Sequence, residues 1–423
     1  MPMRLAAVAA LVATLAVAWP TAAAERLTLD DAFARVASSH PQLRLFESQQ
    51  RVLTAERDRA AQSQPLVLGV QLEDAAGSGA LSGLDAAELT VTLASVLERG
   101  GKLDARRVLA QSRIDALAME RATRRLDLLA EVARRFLALD VAGLQRDIAR
   151  RELAQRQRAV EAARARFTAG ASPEAIVLSA EAERVRSEIT LDRQDLLWRL
   201  ARQQLAALWG EREPAFDIEA ADPLQLPQPA GEAALVALLD GTPELQRFAD
   251  ERRLREARLQ LARSDAAPDL EWQLGIRRHE AGNDFALVAG VSLPLGARTR
   301  AQPQIRAASE ELAQLELERE AVGLSLYATL LEALGRYQLA QQEVRRLGVE
   351  VLPALRRAEA AAERAYRAGA ISYLEWAQLQ ADITATERQQ LDVAADAQLA
   401  MIEIQRLTGQ PSLARTDSQG KLP

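Results

Sequence analysis

Residues 167–171 read Phe-Thr-Ala-Gly-Ala, and residues 366–370, which lie 199 positions later, read Tyr-Arg-Ala-Gly-Ala. A repeat that keeps its register along most of a chain fixes the architecture before any single element is assigned. Three further echoes keep nearly the same separation: His40-Pro41-Gln42-Leu43 with Thr242-Pro243-Glu244-Leu245, Val91-Thr92-Leu93 with Val291-Ser292-Leu293, and Leu208-Trp209-Gly210 with Leu407-Thr408-Gly409. The sequence therefore consists of two tandem copies, residues 25–210 and 231–409, with a proline-bearing linker at 211–230 and a polar tail at 410–423.

Each copy is predicted to contain a helix, two strands, a long helix and a returning helix, in that order. The first helix of copy one opens with Thr28 and Asp31, which have the spacing of a capping box, and Pro65 is expected to end it. Beyond Pro65 the apolar residues change from a helical period to a period of two, which is typical of strands. The predicted β-hairpins occupy residues 66–96 and 270–293.

Both hairpins have one apolar face and one mostly polar face. The apolar face is predicted to contact lipid, and its residues include Leu68, Val70, Leu89, Val91, Trp272, Leu274, Leu287 and Val291. A half-buried sheet in a soluble domain is the alternative. Two features favour lipid: segments of 8 to 10 residues approach the roughly 9–11 that a tilted membrane strand needs, and the rest of the chain offers long helices but no second layer to cover the sheet.

The four predicted strands cannot close a barrel within one chain. An open sheet edge in lipid leaves backbone groups unpaired, at a cost of several kcal/mol for each group. The chain is therefore expected to pool its strands with copies of itself, so that two subunits supply eight strands or three supply twelve.

The N-terminus is predicted to be a secretory signal at residues 1–24. Arg4 precedes an apolar run from Leu5 to Trp19, and three alanines before Glu25 form an A-x-A cleavage site. The sequence has no cysteine, so neither a lipidated N-terminus nor a disulfide is expected. After the signal, no apolar stretch approaches the roughly 20 residues of a spanning helix, which leaves strands as the predicted membrane element.

The charge of the chain is mildly acidic. Removing Arg4 from the 53 Lys and Arg residues leaves 52 against 59 Asp and Glu, a formal charge of −7. Proteins that bind nucleic acid are usually basic, so no nucleic-acid partner is expected. The composition is rich in Ala, Leu, Arg, Glu and Gln, which favours long helices packed side by side.

A helical pattern without proline runs from Gly101 to about Phe167, a length of about 100 Å at 1.5 Å per residue. Apolar residues recur at multiples of seven, which predicts coiled-coil packing. The predicted seams are Val132, Leu139, Leu153, Val160 and Phe167 in copy one, and Leu330, Tyr337, Val344, Val351, Ala358 and Ala365 in copy two. Pro353 is expected to bend the second long helix.

Each long helix is predicted to turn back at a glycine-containing tip, near residue 170 or residue 369. In copy one, Ser172 suits the N-cap of the returning helix and Pro173 its first helical position. In copy two, Ser372 and Glu375 have the spacing of a capping box.

The signal, the tandem copies and the Phe/Tyr-x-x-Gly tips together resemble the TolC family of outer-membrane efflux proteins. Gly100-Gly101-Lys102 and Ala105-Arg106 resemble the strand-to-helix segment of its heavy-metal branch, the CzcC-like proteins, although Leu103 departs from that pattern. The resemblance implies a homotrimer with a twelve-stranded barrel in the outer membrane of a Gram-negative bacterium and a tunnel of twelve helices in the periplasm. It also implies that the tips dock a periplasmic adaptor protein, which connects the duct to a proton-driven inner-membrane pump of the RND type.

The same resemblance directs attention to the tips. The family often places an acidic residue at the position of Glu375, where it lines the periplasmic mouth and would attract cations into a narrow pore. The alternative is that Glu375 only completes the capping box, and its copy-one equivalent, Ile176, is apolar. Candidate adaptor-docking residues are Phe167, Gly170, Ser172, Tyr366, Gly369 and Ser372. The alternative for these tips is that the glycines supply left-handed caps and the aromatic residues complete the seams.

Metal binding and catalysis are not expected. The two histidines, His40 and His279, lie in different predicted elements and there is no cysteine, so neither a metal site nor a cofactor is predicted. No nucleophile–base motif or phosphate loop argues for an enzyme.

The sequence thus predicts a mainly α-helical protein with a transmembrane β-barrel, which serves as the outer-membrane exit duct of an efflux system. The predicted cargo is divalent heavy-metal cations such as cobalt, zinc or cadmium. Two alternatives stay open: a duct for drugs or for type I protein export, and a periplasmic adaptor or scaffold built on coiled coils.

Overall fold

The computed structural model describes residues 26–219 and 222–409, without the side chain of Ala80. The predicted signal at 1–24 and the tail at 410–423 lie outside the described residues. The helices are α1 (Leu29–Ser39), α2 (Pro41–Ala60), α3 (Lys102–Thr168), α4 (Glu174–Ala206), α5 (Glu232–Leu239), α6 (Pro243–Ser264), α7 (Ala297–Arg346), α8 (Leu352–Arg367) and α9 (Tyr373–Thr408). The strands are β1 (Arg26–Leu27), β2 (Val67–Glu73), β3 (Glu88–Leu97), β4 (Asp217–Ile218), β5 (Leu270–His279) and β6 (Asp284–Ser292).

The first helix of copy one is two helices, which corrects the single helix that was predicted up to Pro65. Its capping box is confirmed, because the Thr28 hydroxyl accepts from the N–H of Asp31 and the Asp31 carboxylate accepts from the N–H of Thr28. The helix then breaks at His40, because the residue before a proline is disfavoured in the helical region. His40 is extended and its Nδ1 accepts from the N–H of Gln42, so that Pro41 starts α2.

The four long strands form one antiparallel sheet in the order β2-β3-β5-β6. The two predicted hairpins are therefore present, and they are joined through β3 of copy one and β5 of copy two. That junction runs in continuous register from Glu88 opposite His279 to Leu97 opposite Leu270. Strands β2 and β6 form the two edges of this sheet within the described chain.

Helix α3 is 67 residues long and unbroken, as the proline-free pattern predicts. In its seam Val132, Leu139 and Val160 are buried and Leu153 is half-buried. Phe167, at the end of the predicted seam, is 45% exposed and lies outside the packed stripe.

The long helix of copy two is interrupted by a π-helical turn at Leu347–Val351, directly before Pro353 in the first turn of α8. The predicted seam is correct up to Val344 and wrong beyond it. Val351 and Ala358 are exposed and Ala365 is half-buried. The buried stripe continues instead through Leu352 and Tyr366.

The π-turn explains that shift. A π-turn closes i to i+5 hydrogen bonds and so accommodates one residue more than an α-helical turn. Leu139 and Tyr337, which precede the turn, are 198 residues apart, whereas Phe167 and Tyr366, which follow it, are 199 apart. Copy two therefore carries one extra residue, and the π-turn absorbs it.

Each copy buries its own core where its short helices pack on its long ones. In copy one the core includes Leu27, Val36, Val132, Leu139, Leu205 and Phe216. In copy two it includes Leu235, Phe248, Leu330, Tyr337, Ile404 and Leu407. A third cluster lies at the tips and takes residues from both copies.

The described parts of the linker, residues 211–219 and 222–230, contact both copies. Strand β4 pairs in parallel with β1 at the start of copy one. Farther on, the Tyr337 hydroxyl of α7 donates to the carbonyl of Pro227, and Gln398 of α9 donates to the carbonyl of Pro223 at 3.2 Å. Burial raises the pKa of Tyr337 to about 12, so this hydroxyl stays a donor at neutral pH.

Candidate functional site: the sheet faces and the helical tips

The strand register places the predicted lipid-facing residues together. Side chains alternate along a strand and match across a ladder, so directly paired residues share a face. One apolar row runs Val70, Val91, Ile276 and Leu287 across the four strands. Neighbouring positions on the same face are Leu68, Leu89, Trp272, Leu274 and Val291.

This apolar face is open. Val70 is 65% exposed, Leu287 75% and Val291 71%, while Trp272 is half-buried. A contiguous exposed apolar surface of this kind marks an interaction with lipid or with another protein. The contact of these residues with lipid stays a prediction.

The Gly100-Gly101-Lys102 motif forms the junction between β3 and α3. Lys102 Nζ lies 2.7 Å from Asp269 Oδ2 just ahead of β5, and Arg106 pairs with Glu98 at the end of β3. That pairing lowers the pKa of the Glu98 carboxyl and raises the pKa of the Arg106 guanidinium. The motif that resembles the heavy-metal branch is therefore a structural junction, and its two basic residues form ion pairs with acidic residues outside it.

The two tips end their long helices in the same way. Gly170 and Gly369 have φ of +70° and +76°, a region that favours glycine. The N–H of Ala171 donates to the carbonyl of Arg166 at 2.9 Å, and the N–H of Ala370 donates to the carbonyl of Ala365 at 2.8 Å. Both turns are Schellman motifs, so the capping role of the glycines is confirmed.

The aromatic residues of the tips behave differently. Phe167 is 45% exposed, whereas Tyr366 is only 5% exposed. The Tyr366 ring stacks on Trp376 at 5.1 Å between centroids, and Arg166 of copy one lies over it at 4.7 Å. Tyr366 is therefore a core residue and offers no ring to an adaptor, which corrects its place among the docking candidates. Phe167 keeps that predicted role.

Sequence reasoning missed the other members of this cluster. Trp376 Nε1 donates to Glu359 Oε1 at 3.0 Å, and Gln380 donates to the same oxygen at 3.3 Å. Tyr373 packs edge-on against Trp376, and burial raises the pKa of its hydroxyl. The spacing of Tyr373 and Trp376, one helical turn apart just after the tip, was the available signal.

The two serines at the tips differ. Helix α4 starts at Glu174 with Pro173 as its N-cap residue and no side-chain cap, so the N-cap predicted for Ser172 is wrong. A proline at the N-cap holds the extended backbone that this position needs, and Ser172 then lies one residue too early to cap. In copy two the predicted capping box is present, with Glu375 Oε2 accepting from both the N–H and the hydroxyl of Ser372 at 2.8 Å.

The gate candidate Glu375 is exposed on the first turn of α9. The hydrogen bonds from the Ser372 backbone and hydroxyl lower the pKa of its carboxyl, so it is anionic at neutral pH. Its copy-one equivalent, Ile176, packs against the apolar tip cluster. A role for Glu375 at the mouth of a pore stays a prediction.

The described residues offer neither a membrane-spanning helix nor a cluster of metal ligands. No helix among residues 26–219 and 222–409 has the length and apolar character to cross a bilayer. The same ranges hold no cluster of three or more His, Asp or Glu side chains placed to bind a metal ion.

Comparison with known proteins identifies the family. The outer membrane efflux protein family matches residues 33–211 and 234–410, one match for each copy. The chain belongs to this family. It is an outer-membrane channel protein of the TolC type and not an enzyme, and its long helices are periplasmic. The match over both copies excludes the adaptor or scaffold alternative.

Individual relatives agree with this assignment. The chain is 27% identical over 313 residues to the cobalt-zinc-cadmium resistance protein CzcC of Cupriavidus metallidurans, which covers 74% of this chain and 75% of that one. Its fold matches that of CusC with a TM-score of 0.76 at 17% identity, over 90% of this chain and 92% of CusC. A membrane protein from Pseudomonas aeruginosa matches with a TM-score of 0.75 at 18% identity, over 92% and 91% of the two chains. The predicted fold class, a helical protomer that contributes four strands to a channel, is confirmed.

Proposed function

We propose that three copies of this chain form the exit duct of a tripartite efflux system, with a periplasmic adaptor and an inner-membrane RND pump, and that its cargo is divalent heavy-metal cations such as cobalt, zinc or cadmium. The observation that supports this choice of cargo is the similarity to CzcC along three quarters of the chain. The duct itself supplies a water-filled path, and its partners supply energy and selection.

Self-assembly is supported by the sheet. The edge strands β2 and β6 have no partner strand within the described chain, and an unpaired edge in lipid is costly. Three subunits would pair every edge and supply the twelve strands that the family resemblance implies.

The helices support the same assembly. Helix α4 packs on α3 and carries a row of large apolar residues on its outer side, each at least 42% exposed. The row comprises Leu178, Val185, Ile189, Leu196, Leu197 and Leu200. On α7, Leu317, Leu324 and Leu339 are between 64% and 71% exposed. Lateral packing of neighbouring subunits would cover both rows, each of which would otherwise leave leucines in water.

The test is a deletion of the gene in its host, followed by growth in zinc, cobalt and cadmium and, in parallel, in dyes and detergents. The proposal expects lost metal tolerance that the wild-type gene restores. Unchanged metal tolerance with lost tolerance to dyes and detergents would replace the metal cargo with drugs. A loss of secreted protein alone would indicate type I export.

Two neighbouring substitutions test the membrane face in the same strain. Val70→Arg places a charge on the apolar face, where a mid-bilayer Arg costs roughly 2–4 kcal/mol, and is expected to abolish assembly and rescue. Gln71→Arg places the same charge on the polar face and is expected to assemble and rescue. Equal rescue by both variants would contradict the lipid contact of that face.

A further inference from the structure

The elbow between α1 and α2 in copy one is closed by an ionisable side chain. His40 lies between the two helices with an extended backbone, and its Nδ1 accepts from the N–H of Gln42 at 3.2 Å. An imidazole nitrogen that accepts a hydrogen bond carries no proton, so the ring is neutral with its proton on Nε2. Protonation would place a hydrogen on Nδ1 and remove this cap of α2.

The matching elbow of copy two has the same proline but a different closure. Thr242 takes the place of His40 before Pro243, and its hydroxyl donates at 2.7 Å to the carbonyl of Leu239, the last residue of α5. Thr242 is buried and its side chain does not cap α6. Because a threonine hydroxyl does not change charge near neutral pH, this closure of the copy-two elbow is independent of pH there.

The surroundings of His40 oppose a positive charge on its ring. The ring is half-buried, and Arg124 of α3 donates to the side-chain oxygen of Gln42 at 3.0 Å, which brings a guanidinium to the elbow. Burial and the charge of Arg124 lower the pKa of the His40 imidazole. The ring also lies at the N-terminus of α2, which is the positive end of the helix dipole. The elbow therefore favours the neutral imidazole.

Two carboxylates on the elements packed against the elbow are engaged elsewhere. Helix α1 packs on α3 and on the 3₁₀ turn at Ala207–Trp209, and α2 packs on α3. On α3, Asp127 is bound by Arg406 of α9 at 3.4 Å. Beyond the 3₁₀ turn, Glu211 accepts from Trp209 Nε1 at 2.7 Å. Since both carboxylates already have partners, neither serves as the counter-charge of a protonated His40.

We propose that His40 is a pH-sensitive latch of the copy-one elbow: the neutral imidazole holds the first turn of α2 beside α3, and protonation releases that turn while the copy-two elbow stays closed. The release reaches the contact between α2 and α3, because Gln42, which His40 holds, is also the residue that Arg124 binds. The latch requires neither the proposed trimer nor the proposed cargo, since all its groups belong to one chain.

The direction of the pH effect follows from the lowered pKa of His40. In the unfolded chain a histidine titrates at its ordinary value of about 6.5, whereas in the folded chain His40 titrates at a lower pH. Its contribution to stability is complete above the unfolded-state pKa and is lost as the pH falls through the folded-state pKa. The latch thus weakens below about pH 6.5, where ordinary carboxyls are still ionised.

The test compares hydrogen exchange of the two elbows in the full-length protein in detergent, at about pH 7.5 and about pH 5, on either side of the ordinary histidine value. Exchange rates are normalised to those of unstructured peptides at the same pH. Protection of the amides at 42–44 is expected to fall about fivefold in acid, the equilibrium factor that a lost side-chain N-cap brings. Protection at 244–246 is expected to stay unchanged, and equal losses at both elbows would overturn the latch.

Three substitutions separate titration from structure. His40→Asn keeps an acceptor at the N-cap and cannot gain a proton, so it should protect α2 at neutral pH and in acid alike. His40→Ala should show the lower protection at both pH values. Arg124→Gln removes the neighbouring positive charge and should move the loss of protection to a higher pH. A loss in acid that persists in His40→Asn would overturn the latch.

A direct titration of the ring completes the test. The sequence contains two histidines, His40 and His279, so NMR of the labelled imidazoles gives two titration curves, which His40→Asn assigns. The His40 curve is expected to lie below the ordinary value of about 6.5 and to coincide with the loss of protection at 42–44. A curve at or above that value, or one that does not coincide, would overturn the latch. Wild type alone supplies this comparison if His40→Ala or Arg124→Gln fails to fold.

Discussion

The helical hairpins of the two copies follow one plan but differ in how each is built. In copy one, α3 runs unbroken for 67 residues, and α4 begins without a side-chain cap. In copy two a π-turn divides α7 from α8, and α9 begins with a complete capping box. Their tips nevertheless meet in one apolar cluster.

The difference shows how a duplicated hairpin tolerates a change in length. One extra residue in a heptad seam rotates everything beyond it by about 100°. In copy two the π-turn takes up that residue, so Leu352 and Tyr366 still face the core. The shared tip cluster thus requires matched faces and not equal lengths.

A pair of single-residue deletions would break this comparison most strongly. Removing Gly348 from the π-turn should leave an ordinary α-helix and keep Tyr366 in place. Removing Arg150, its equivalent on α3, should turn Val160 and Ala163 away from the tip cluster and destabilise the tips by more than about 4 kcal/mol. Hydrogen exchange of the tip amides in the assembled protein measures both effects.

The deletion of Gly348 is the informative control. A Cβ on Gly348 would lie 2.6 Å from Gln390 Nε2 of α9, so the neighbour on this side of the turn is the end of a flexible side chain. If both deletions expose the tips equally, the π-turn does not compensate for the extra residue. If neither does, the tip cluster does not depend on the seam.

The junctions between strands and long helices differ in a second way. Copy one has Gly100-Gly101 and copy two has Leu295-Gly296 at the matching positions, with φ near +75° to +82° at Gly101 and Gly296. A Cβ on Gly100 would lie 2.5 Å from Ala267 Cβ and 2.9 Å from the carbonyl of Ser264, whereas one on Gly101 would meet nothing within 4 Å.

Alanine substitutions at the two glycines are expected to separate backbone strain from steric clash. Gly101→Ala should lower the free energy of unfolding by about 1–2 kcal/mol, because a residue with a Cβ is strained in a left-handed backbone conformation. Gly100→Ala should lower the free energy of unfolding by about 3 kcal/mol, because the new Cβ also clashes with the end of α6. Thermal unfolding of the two variants measures the difference, and equal losses would show that the contact with α6 yields without cost.

Much of the fold was predictable from the sequence because periodicity is a local signal. The period of two identified all four strands of the sheet, and the repeated x-Pro motifs marked real helix starts at Pro41 and Pro243. The split at His40 was missed because the apolar period continues across it, and only the restriction that Pro41 places on the residue before it reveals the break.

The parts that sequence reasoning missed depend on contacts between distant residues. The pairing of β3 with β5 joins the two copies, and no local pattern specifies its register, so the position of Glu88 opposite His279 was not visible. The π-turn was likewise missed, because it does not change the composition of the long helix and so gives no local signal. The sequence leaves open whether Tyr366 docks a partner or completes the seam, because its burial comes from contacts with Trp376 and with Arg166 of the other copy.

The smallest expected effect concerns the two tip serines. Ser372→Ala removes a hydroxyl that accepts from the N–H of Glu375 and should destabilise the start of α9 by about 1 kcal/mol. Ser172→Ala should change the stability of the copy-one tip by close to zero, because the Ser172 side chain does not cap α4. Hydrogen exchange of the first turns of α4 and α9 compares the variants directly.

The pH dependence sharpens this last comparison. The pKa of Glu375 is lowered by its hydrogen bonds from the N–H and hydroxyl of Ser372. A carboxyl whose pKa is lower in the folded state than in the unfolded state stabilises the fold. That stabilisation is complete at a pH above the unfolded-state pKa, and it is lost as the pH falls through the folded-state pKa. The protection of the α9 start should therefore decrease in acid in wild type, and less so in Glu375→Gln, while the α4 start, with Ile176 at the equivalent position, should show no such decrease. An equal acid response at both tips would mean that the capping box is not its cause.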